Sequence, residues 1–414
     1  MQTEFKVIDR CRCCDGQKLI KYLDLGSQPL ANNYNKLEDL FVDDVLYGSA
    51  QKEYPLNVYY CEDCHHSQLG VVVNPEIMFS NYLYVSGTTE TFKQHCKDLA
   101  KEAVLKSGKE FIHVLDIACN DGTLLEQFRA LGAEICGVDP AKNLRQITYE
   151  KKIPVIVDFW NDYSSQAINR RFDIITGTNV FAHVDDIYGF LNNCKRVLSF
   201  DGIVVLEFPY CTEMIENNEF DTIYHEHLSY FLVSSFLALS KRAGFNIIDI
   251  VTTDIHGGSI RFYLSLVREP FHEKIIYWLA DEKQKGLYQW DTYLKFRDRV
   301  RNNKKNFIQL LDFLKRNHNT VIGYGASAKG NTMLNYFGAR LDYIVDDNQM
   351  KWGYLTPGKD IEIRPPAALL DEEIPIYIVI MSWNFSDEII SKVKEIRGEF
   401  DDKFVFYVPE VRAG

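Results

Sequence analysis

The sequence predicts an α/β protein with a cysteine-rich N-terminal module, a central Rossmann-like domain and a second Rossmann-like α/β domain at the C-terminus. Two observations lead to this prediction: paired Cys-x-x-Cys motifs near the N-terminus, and two separate strand–turn–helix units further along. A chain of 414 residues is too long for one ordinary core, and domain sizes favour two or three. We place the domains at 1–75, 76–265 and 266–414, the last beginning with a helical linker.

Composition and charge exclude several classes of protein. The chain is 46% hydrophobic and 13% aromatic, which is typical of a folded protein. A net charge of -12 argues against nucleic acid as a partner, since no basic face is evident. No apolar run approaches the roughly 18 residues of a membrane span, and the first residues lack an apolar signal segment. We expect a cytoplasmic protein without membrane association.

Four cysteines near the N-terminus have the spacing of a metal site. Cys11 and Cys14 form one Cys-x-x-Cys pair, and Cys61 and Cys64 form another. Two such turns supply four thiolates for a tetrahedral zinc ion, and a closed four-sulfur site leaves no open coordination position. The sequence therefore predicts a structural Zn²⁺, with three neighbours as further candidate ligands: Cys13, His65 and His66.

A nucleoside-binding unit follows. Residues 111–118 read as a buried strand carrying Asp116, residues 119–122 as its turn, and Thr123 as the start of a helix. The next strand, 134–139, ends in Asp139, where a ribose diol would bind. Only one glycine of the dinucleotide motif is present, so S-adenosylmethionine, which has no phosphate, is favoured over NAD. The candidate cofactor-binding residues are Asp116, Ala118, Asn120, Asp121, Gly122, Asp139 and Asn179.

Three further strands, at 154–157, 172–177 and 202–207, alternate with helical segments and predict a doubly wound sheet. Ligands bind at the carboxyl ends of such strands. The fourth strand leads to His183, which we take as a candidate for the site.

The segment 220–230 has an unusual density of proton-handling groups. It holds two histidines, two carboxylates and two tyrosines in eleven residues, and it follows the fifth strand. Histidine titrates near neutrality, so this segment is the candidate for acid–base chemistry. If it is extended, Tyr224 and Glu226 face one way and His225 and His227 the other. Spacing alone does not choose between the two histidines.

Other segments contribute candidate substrate contacts. Residues 271–315 are charged and helical, and a second strand–turn–helix unit at 320–331 should hold phosphate through backbone N–H groups and Lys329. Strands at 341–347 and 376–381 complete this second half-sheet. The candidate substrate-binding residues are Tyr82, Tyr84, His256, Gly257, Ser259, Arg261, Tyr324, Gly325, Ala326, Lys329 and Asn331.

Together these motifs resemble the sugar C-methyltransferase family of deoxysugar biosynthesis, whose members add a C-3 methyl group to nucleotide-linked 4-keto-hexoses. The resemblance covers nearly the whole chain. The family usually has Glu-x-Gly in the first cofactor loop, where this chain has Asp116-Ile117-Ala118. The motifs that carry the resemblance are the paired Cys-x-x-Cys turns, Leu115–Gly122, Tyr224–His227, His256–Ser259, Gly323–Ala326 and Ser382–Phe385.

The resemblance implies a mechanism and roles for individual residues. His227 would be the base that removes the C-3 proton, with His225 as its competitor, and Tyr224, Glu226 and His183 would orient groups or stabilise the enolate oxygen. The methyl donor would be S-adenosylmethionine. The partner would be a nucleotide-linked 4-keto-sugar, and the protein a monomer or small homo-oligomer.

Three other functions are considered. A zinc-knuckle nucleic-acid methyltransferase is disfavoured by the acidic balance. An NAD-dependent sugar-nucleotide epimerase or reductase is disfavoured because no Tyr-x-x-x-Lys pair follows the 320–331 unit in helical register. A non-catalytic sugar-nucleotide binder would make no use of the histidine-rich segment.

Overall fold

The computed structural model describes residues 4–36, 41–42, 45–46, 51–79, 87, 89–398 and 400–414. The chain divides into two compact units. The first unit contains Met1–Ile20, Tyr59–Thr212 and Leu228–Tyr288, and the second contains Lys21–Val58, Glu213–His227 and Gln289–Gly414. The three-domain division expected from the sequence stays a prediction.

Short strands dominate the N-terminal part of the chain. Strand β1 (Phe5–Val7) pairs antiparallel with β8 (Val71–Val73), and β4 (Phe41–Val42) pairs antiparallel with β5 (Val45–Leu46). These elements are β1 (Phe5–Val7), β2 (Leu19–Pro29), β3 (Asn35–Lys36), β4 (Phe41–Val42), β5 (Val45–Leu46), β6 (Glu53–Cys61), β7 (Ser67–Leu69), β8 (Val71–Val73) and helix α1 (Pro75–Phe79).

The middle of the chain alternates helices and strands. Helix α2 (Glu90–Ser107) begins after Thr89, which caps it by accepting a hydrogen bond from the Phe92 amide at 3.3 Å. The elements are α2 (Glu90–Ser107), β9 (His113–Ile117), α3 (Thr123–Ala130), β10 (Glu134–Val138), α4 (Arg145–Glu150), β11 (Val155–Ile156), α5 (Asp162–Ala167), β12 (Phe172–Thr178), α6 (Ile187–Val197), β13 (Leu198–Pro209), α7 (Cys211–Glu216), β14 (Ser229–Tyr230), α8 (Val233–Ala243), β15 (Asn246–Thr253) and β16 (Ser259–Ser265).

A seven-stranded sheet forms the centre of the first unit. Its order is β11-β10-β9-β12-β13-β16-β15; the first five strands are parallel, and β16 runs antiparallel to both of its neighbours. The β9 strand is buried on both faces, which explains its mostly apolar sequence. The chain passes from β9 to β10 on one side of β9 and later returns to β12 on the other side. Ligands bind at such a reversal of strand order.

The C-terminal part begins with long helices, as expected for 271–315. The second unit is built on a six-stranded sheet of order β20-β18-β17-β21-β22-β23, parallel except for β23. Its strand order also reverses, at β17 and β21. The elements are α9 (His272–Gln284), α10 (Trp290–Arg316), β17 (Val321–Tyr324), α11 (Ala328–Phe337), β18 (Ile344–Val345), β19 (Tyr354–Leu355), β20 (Ile363–Arg364), β21 (Tyr377–Ile380), α12 (Ser386–Arg397), β22 (Lys403–Phe406) and β23 (Arg412–Ala413).

The α/β fold class with two Rossmann-like sheets is confirmed. Sequence reasoning missed the antiparallel strands β15 and β16. Gly257 and Gly258 end the short helical turn before β16, with φ angles of 94° and 116°, which favour glycine. Within the described ranges, no helix has both the length and the apolar character needed to cross a membrane.

Candidate functional site

The four predicted zinc ligands lie together in the first unit. The sulfur atoms of Cys11, Cys14, Cys61 and Cys64 are all within 4.8 Å of one another. Cys11 Sγ lies 3.5 Å from Cys64 Sγ, and Cys14 Sγ lies 3.6 Å from Cys61 Sγ. Four thiolates bound to zinc at about 2.3 Å stand about 3.8 Å apart, so this arrangement fits a tetrahedral zinc ion.

The backbone of both cysteine pairs has the same form. The amides of Asp15 and His65 each donate to the carbonyl of the first cysteine of their pair at 2.8 Å, and both residues have φ near +65°. The Gly16 amide donates to Cys14 Sγ at 3.4 Å, as expected for a thiolate ligand. Among the described residues, Cys13, His65 and His66 do not belong to the sulfur cluster; His65 Nδ1 instead bonds the Tyr60 hydroxyl at 2.6 Å.

The loop after β9 is wound tightly. Ala118, Asn120 and Gly122 have φ angles of 58°, 51° and 79°. A Cβ on Gly122 would lie 2.2 Å from Ile153 Cδ1, so glycine is needed there for space as well as conformation. Ala118 is strained, because an L-residue adopts this conformation at a cost.

Two acids flank this loop. The Thr176 hydroxyl donates to Asp116 Oδ1 at 2.6 Å, and burial raises the pKa of Asp116 to about 7, with a further rise from Asp139. Asp139 accepts the amides of Asn120 and Ala141, each at 2.8 Å, and burial raises its pKa. The Asp139 carboxylate thus joins the β10 end to the β9 loop, where the sequence predicts the cofactor.

Two other predicted cofactor residues differ in their surroundings. Asp121 accepts both the amide and the hydroxyl of Thr123, at 3.2 and 2.8 Å, so it organises the start of α3. Asn179 follows β12 with φ of 55°, and its buried amide oxygen has no partner among the described residues. A buried unpaired amide oxygen is costly, and a bound ligand would satisfy it.

Residues 220–227 of the histidine-rich segment lie in the second unit, and residues 224–227 form a turn. The His227 amide donates to the Tyr224 carbonyl at 2.9 Å, so the extended geometry considered for this segment is wrong, and with it the alternation of faces. His227 Nδ1 lies 2.8 Å from the Thr222 carbonyl, and His227 Nε2 lies 2.7 Å from the Tyr224 hydroxyl. A carbonyl only accepts, so Nδ1 carries the proton, and in the neutral ring Nε2 accepts from Tyr224.

The neighbouring side chains are also engaged. His225 Nε2 lies 3.1 Å from the Tyr54 carbonyl, and burial lowers the pKa of His225 to about 4. Glu226 Oε1 accepts from Asn32 Nδ2 at 2.6 Å. The two histidines therefore differ: Nε2 of His227 is an acceptor, whereas Nε2 of His225 donates to a carbonyl.

A buried polar cluster adjoins this turn in the second unit. Asp221 Oδ2 accepts from Trp383 Nε1 at 2.8 Å and from the Tyr407 hydroxyl at 2.7 Å. Lys329 Nζ lies 3.8 Å from the centroid of the Trp383 ring. Burial raises the pKa of Asp221, which Lys329 opposes, and burial raises the pKa of Glu219 to about 8. Trp383 follows β21, one of the two strands at which the strand order reverses. Asp221 therefore connects the segment before the turn to this part of the sheet.

The predicted phosphate loop after β17 is largely occupied by its own chain. The Ala326 amide donates to Asp346 Oδ2 at 2.7 Å, and the Ala326 carbonyl accepts the Tyr34 hydroxyl at 2.7 Å. A Cβ on Gly325, whose φ is 92°, would lie 2.3 Å from Ser382 Oγ. The glycine is thus required by packing within the unit.

The other predicted residues of this loop are also placed. The Tyr324 hydroxyl donates to Asp347 Oδ1 at 3.2 Å. Asn331 Nδ2 donates to the Ala31 carbonyl at 2.8 Å, while its buried Oδ1 has no partner among the described residues. Burial lowers the pKa of Lys329, an effect opposed by Asp221.

The remaining candidates in the first unit have separate surroundings. His183 stacks on Phe79 with centroids 5.8 Å apart, and burial lowers its pKa to about 4. Arg261 is buried and donates to Glu207 at 2.7 Å and to Glu102 at 2.8 Å. Ser259 Oγ donates to the Ile255 carbonyl at 3.1 Å, and Gly257 lies in the turn. Tyr82, Tyr84 and the His256 side chain lie outside the described residues.

Several contacts escaped sequence reasoning. Thr176 donates a hydrogen bond to Asp116, and Asp221 accepts hydrogen bonds from Trp383 and Tyr407. The partners in each case are separated by a number of residues that no sequence motif predicts. Arg12 lies between two of the zinc ligands, Cys11 and Cys14. Its buried side chain makes three hydrogen bonds, which no local sequence pattern predicts.

Three family models match successive parts of the chain. A zinc binding domain matches residues 11–79, a methyltransferase domain matches residues 89–250, and a C-methyltransferase C-terminal domain matches residues 254–409. The first of these contains the four-cysteine cluster, and the second contains the β9 loop.

Similar proteins match different shares of this chain. A crystal structure of an S-adenosylmethionine-dependent methyltransferase from Clostridium acetobutylicum ATCC 824 matches with TM-score 0.35 and 16% identity over 42% of this chain and 92% of its own. The ubiquinone biosynthesis O-methyltransferase of Rhodopseudomonas palustris (strain TIE-1) is 33% identical over 27% of this chain and 45% of its own length. C-methyltransferase NovU of Streptomyces niveus is 31% identical over 100% of this chain and 98% of its own length.

The full-length match and the three family models establish the kind of enzyme. The predicted cofactors, S-adenosylmethionine and zinc, are confirmed. The chain is an S-adenosylmethionine-dependent C-methyltransferase, and it belongs to the sugar C-methyltransferase family.

Proposed function

We propose that this enzyme adds a methyl group to C-3 of a nucleotide-linked 4-keto-hexose or 4-keto-deoxyhexose. A base removes the C-3 proton, and the C-4 carbonyl oxygen takes up the negative charge of the enolate. C-3 then forms a bond to the methyl carbon. The bound S-adenosylmethionine supplies that methyl group from its sulfonium, whose sulfur keeps the electron pair of the broken bond.

The observation that carries the proposal is the hydrogen bonding of His227. With Nδ1–H held by the Thr222 carbonyl at 2.8 Å, Nε2 has the lone pair that a general base requires. The Tyr224 hydroxyl, 2.7 Å away, would donate to the ring in the resting state. A carbonyl partner at Nδ1 also stabilises the imidazolium that forms when Nε2 takes the proton.

Neighbouring groups are assigned supporting roles. When Nε2 of His227 takes the C-3 proton, the Tyr224 hydroxyl would be released to donate to the enolate oxygen. Glu226, held by Asn32, would orient the substrate or the turn. His183 is neutral near pH 7 because burial lowers its pKa to about 4, so it would act as a neutral hydrogen-bonding group.

We assign cofactor and substrate contacts to two places. The methyl donor would bind at the β9 loop, where Asp116 and Asp139 would contact polar groups of the donor. Asn179 would offer its unpaired amide oxygen. The nucleotide would use the second unit, where Lys329 would offer a positive charge. The binding roles of Arg261 and Ser259 would be indirect, because both bond protein groups.

The test is turnover with labelled S-adenosylmethionine and a panel of nucleotide 4-keto-sugars, with product masses and positions of methylation determined. Exchange of the C-3 proton with D₂O without methyl donor isolates the base. His227→Asn should slow both reactions about 100-fold or more while leaving cofactor binding intact. His225→Asn is the matched control, expected to retain exchange. Exchange at the wild-type rate in His227→Asn would refute the assignment.

The other expectations accompany this proposal. A cytoplasmic location, the absence of a nucleic-acid partner and a monomer or small homo-oligomer remain proposals. The panel also tests the alternatives: a change in absorbance at 340 nm with a nicotinamide cofactor would support an epimerase or reductase. A salt-dependent shift of RNA or DNA in a gel would support a nucleic-acid methyltransferase.

A further inference from the structure

Arg12 is a buried cation inside the first zinc-binding turn. Its side chain is 3% exposed. Arg12 Nε donates to Asp185 Oδ1 at 3.1 Å, and Nη1 donates to the Leu69 and Leu228 carbonyls at 2.9 and 3.2 Å. One guanidinium therefore joins three segments of the first unit that are far apart in sequence.

The backbone of Arg12 is held as firmly as its side chain. The Arg12 amide donates to Gln68 Oε1 at 2.8 Å, and Gln68 Nε2 donates to the Arg10 carbonyl at 2.9 Å. Cys11 and Cys14, on either side, are zinc ligands of this turn. The guanidinium group therefore projects from a backbone turn that the metal ion makes rigid.

Two of the segments that Arg12 holds carry the proposed catalytic histidines. Asp185 lies two residues after His183, and Leu228 directly follows His227. The Leu228 amide also donates to the Ala182 carbonyl at 2.8 Å, which joins these two segments to each other. Lys6 pairs with Asp185 as well, from an exposed position.

The shape of the guanidinium is essential to this arrangement. It is planar and directs its N–H groups toward separate acceptors, whereas the ammonium group of lysine is a single point of charge. The carboxylate of Asp185 compensates the buried charge of Arg12. A side chain that lacked the fork could not hold Asp185 and two carbonyls together.

We infer that Arg12 is a positioning residue for methyl transfer: anchored in the zinc-binding turn, its guanidinium sets the positions of the 182–185 segment and of Leu228. The inference rests on the proposed function, because it assumes that His183 and His227 serve the reaction. The zinc ion thereby contributes to turnover through Arg12 as well as to folding.

The test uses the full-length zinc-loaded protein with Arg12→Gln and Arg12→Lys, and Arg10→Gln as the matched control in the same turn. Arg10 is exposed, so its variant should resemble wild type. Both Arg12 variants should keep bound zinc and cofactor affinity, while kcat falls tenfold or more with little change in KM, because misplacement by about 1 Å can cost about 100-fold. C-3 proton exchange should fall in parallel.

Two further measurements separate positioning from folding. Asp185→Asn should reproduce the loss of kcat with zinc retained, and the double variant should be no slower than the slower single variant. Added guanidinium ion should restore part of the turnover of Arg12→Ala and none of that of His227→Asn. Wild-type kcat in Arg12→Gln, or loss of zinc in proportion to activity, would overturn the inference. A wild-type enzyme inactive on every keto-sugar would instead refute the proposed function.

Discussion

Replacing Ala118 by glycine should stabilise the first unit. Ala118 has φ of 58° in the loop after β9, a conformation that costs an L-residue about 1 to 2 kcal/mol. Glycine removes this strain but increases the freedom of the unfolded chain, which costs about 0.4 to 1 kcal/mol. Loss of the half-buried methyl group costs about 0.4 kcal/mol, half the value for a buried methylene. The expected net gain is about 0.5 kcal/mol.

Ala280→Gly is the matched control, because Ala280 lies exposed within α9 of the same unit. Glycine inside a helix costs about 1 kcal/mol relative to alanine. The two substitutions are chemically identical, so opposite signs would isolate the contribution of backbone conformation. The expected difference between the variants is about 1.5 kcal/mol in the free energy of unfolding.

Urea unfolding measures this difference, provided that the transition of the first unit is followed. Because the chain has two units, unfolding need not be a single step, and the relevant transition is the one that S-adenosylmethionine shifts to higher urea. Isothermal calorimetry would report whether the relaxed loop changes affinity for the donor. Equal destabilisation of Ala118→Gly and Ala280→Gly would refute the argument from φ.

Two predictions concern pH. Burial raises the pKa of Asp116 to about 7, so the charged fraction of its carboxyl group grows between pH 6 and pH 8. Over this range, calorimetry should show that the affinity for the cationic methyl donor rises up to about tenfold more in wild type than in Asp116→Asn. Equal pH dependence in the two proteins would contradict this. Burial raises the pKa of Glu219 from 4.5 to about 8, so the folded state holds a proton that the unfolded state has lost. The free energy of unfolding should therefore fall as pH rises from 4.5 through 8, and urea titrations of Glu219→Gln should show a flatter dependence; an unchanged slope would contradict it.

Local patterns sufficed for the elements and for the metal ligands. The β9 strand, its loop and Asp139 were predictable because apolar runs, turns and terminal acids follow from neighbouring residues. The zinc site was predictable because each Cys-x-x-Cys turn is local and a four-sulfur cluster needs two of them. The antiparallel strands β15 and β16 were missed. β15 pairs with β16, and β16 joins the sheet through β13, which is distant in sequence, so no local pattern places them in the sheet.

The sequence by itself determined the fold class, the two Rossmann-like sheets and, through several ordered motifs, the family. The tertiary structure decided which nitrogen of His227 carries its proton, because that depends on the Thr222 carbonyl and the turn. It also decided that Arg261 is paired with Glu207 and that Arg12 joins three segments. Hydrogen bonds of this kind connect residues of arbitrary separation, and no periodicity or spacing encodes them.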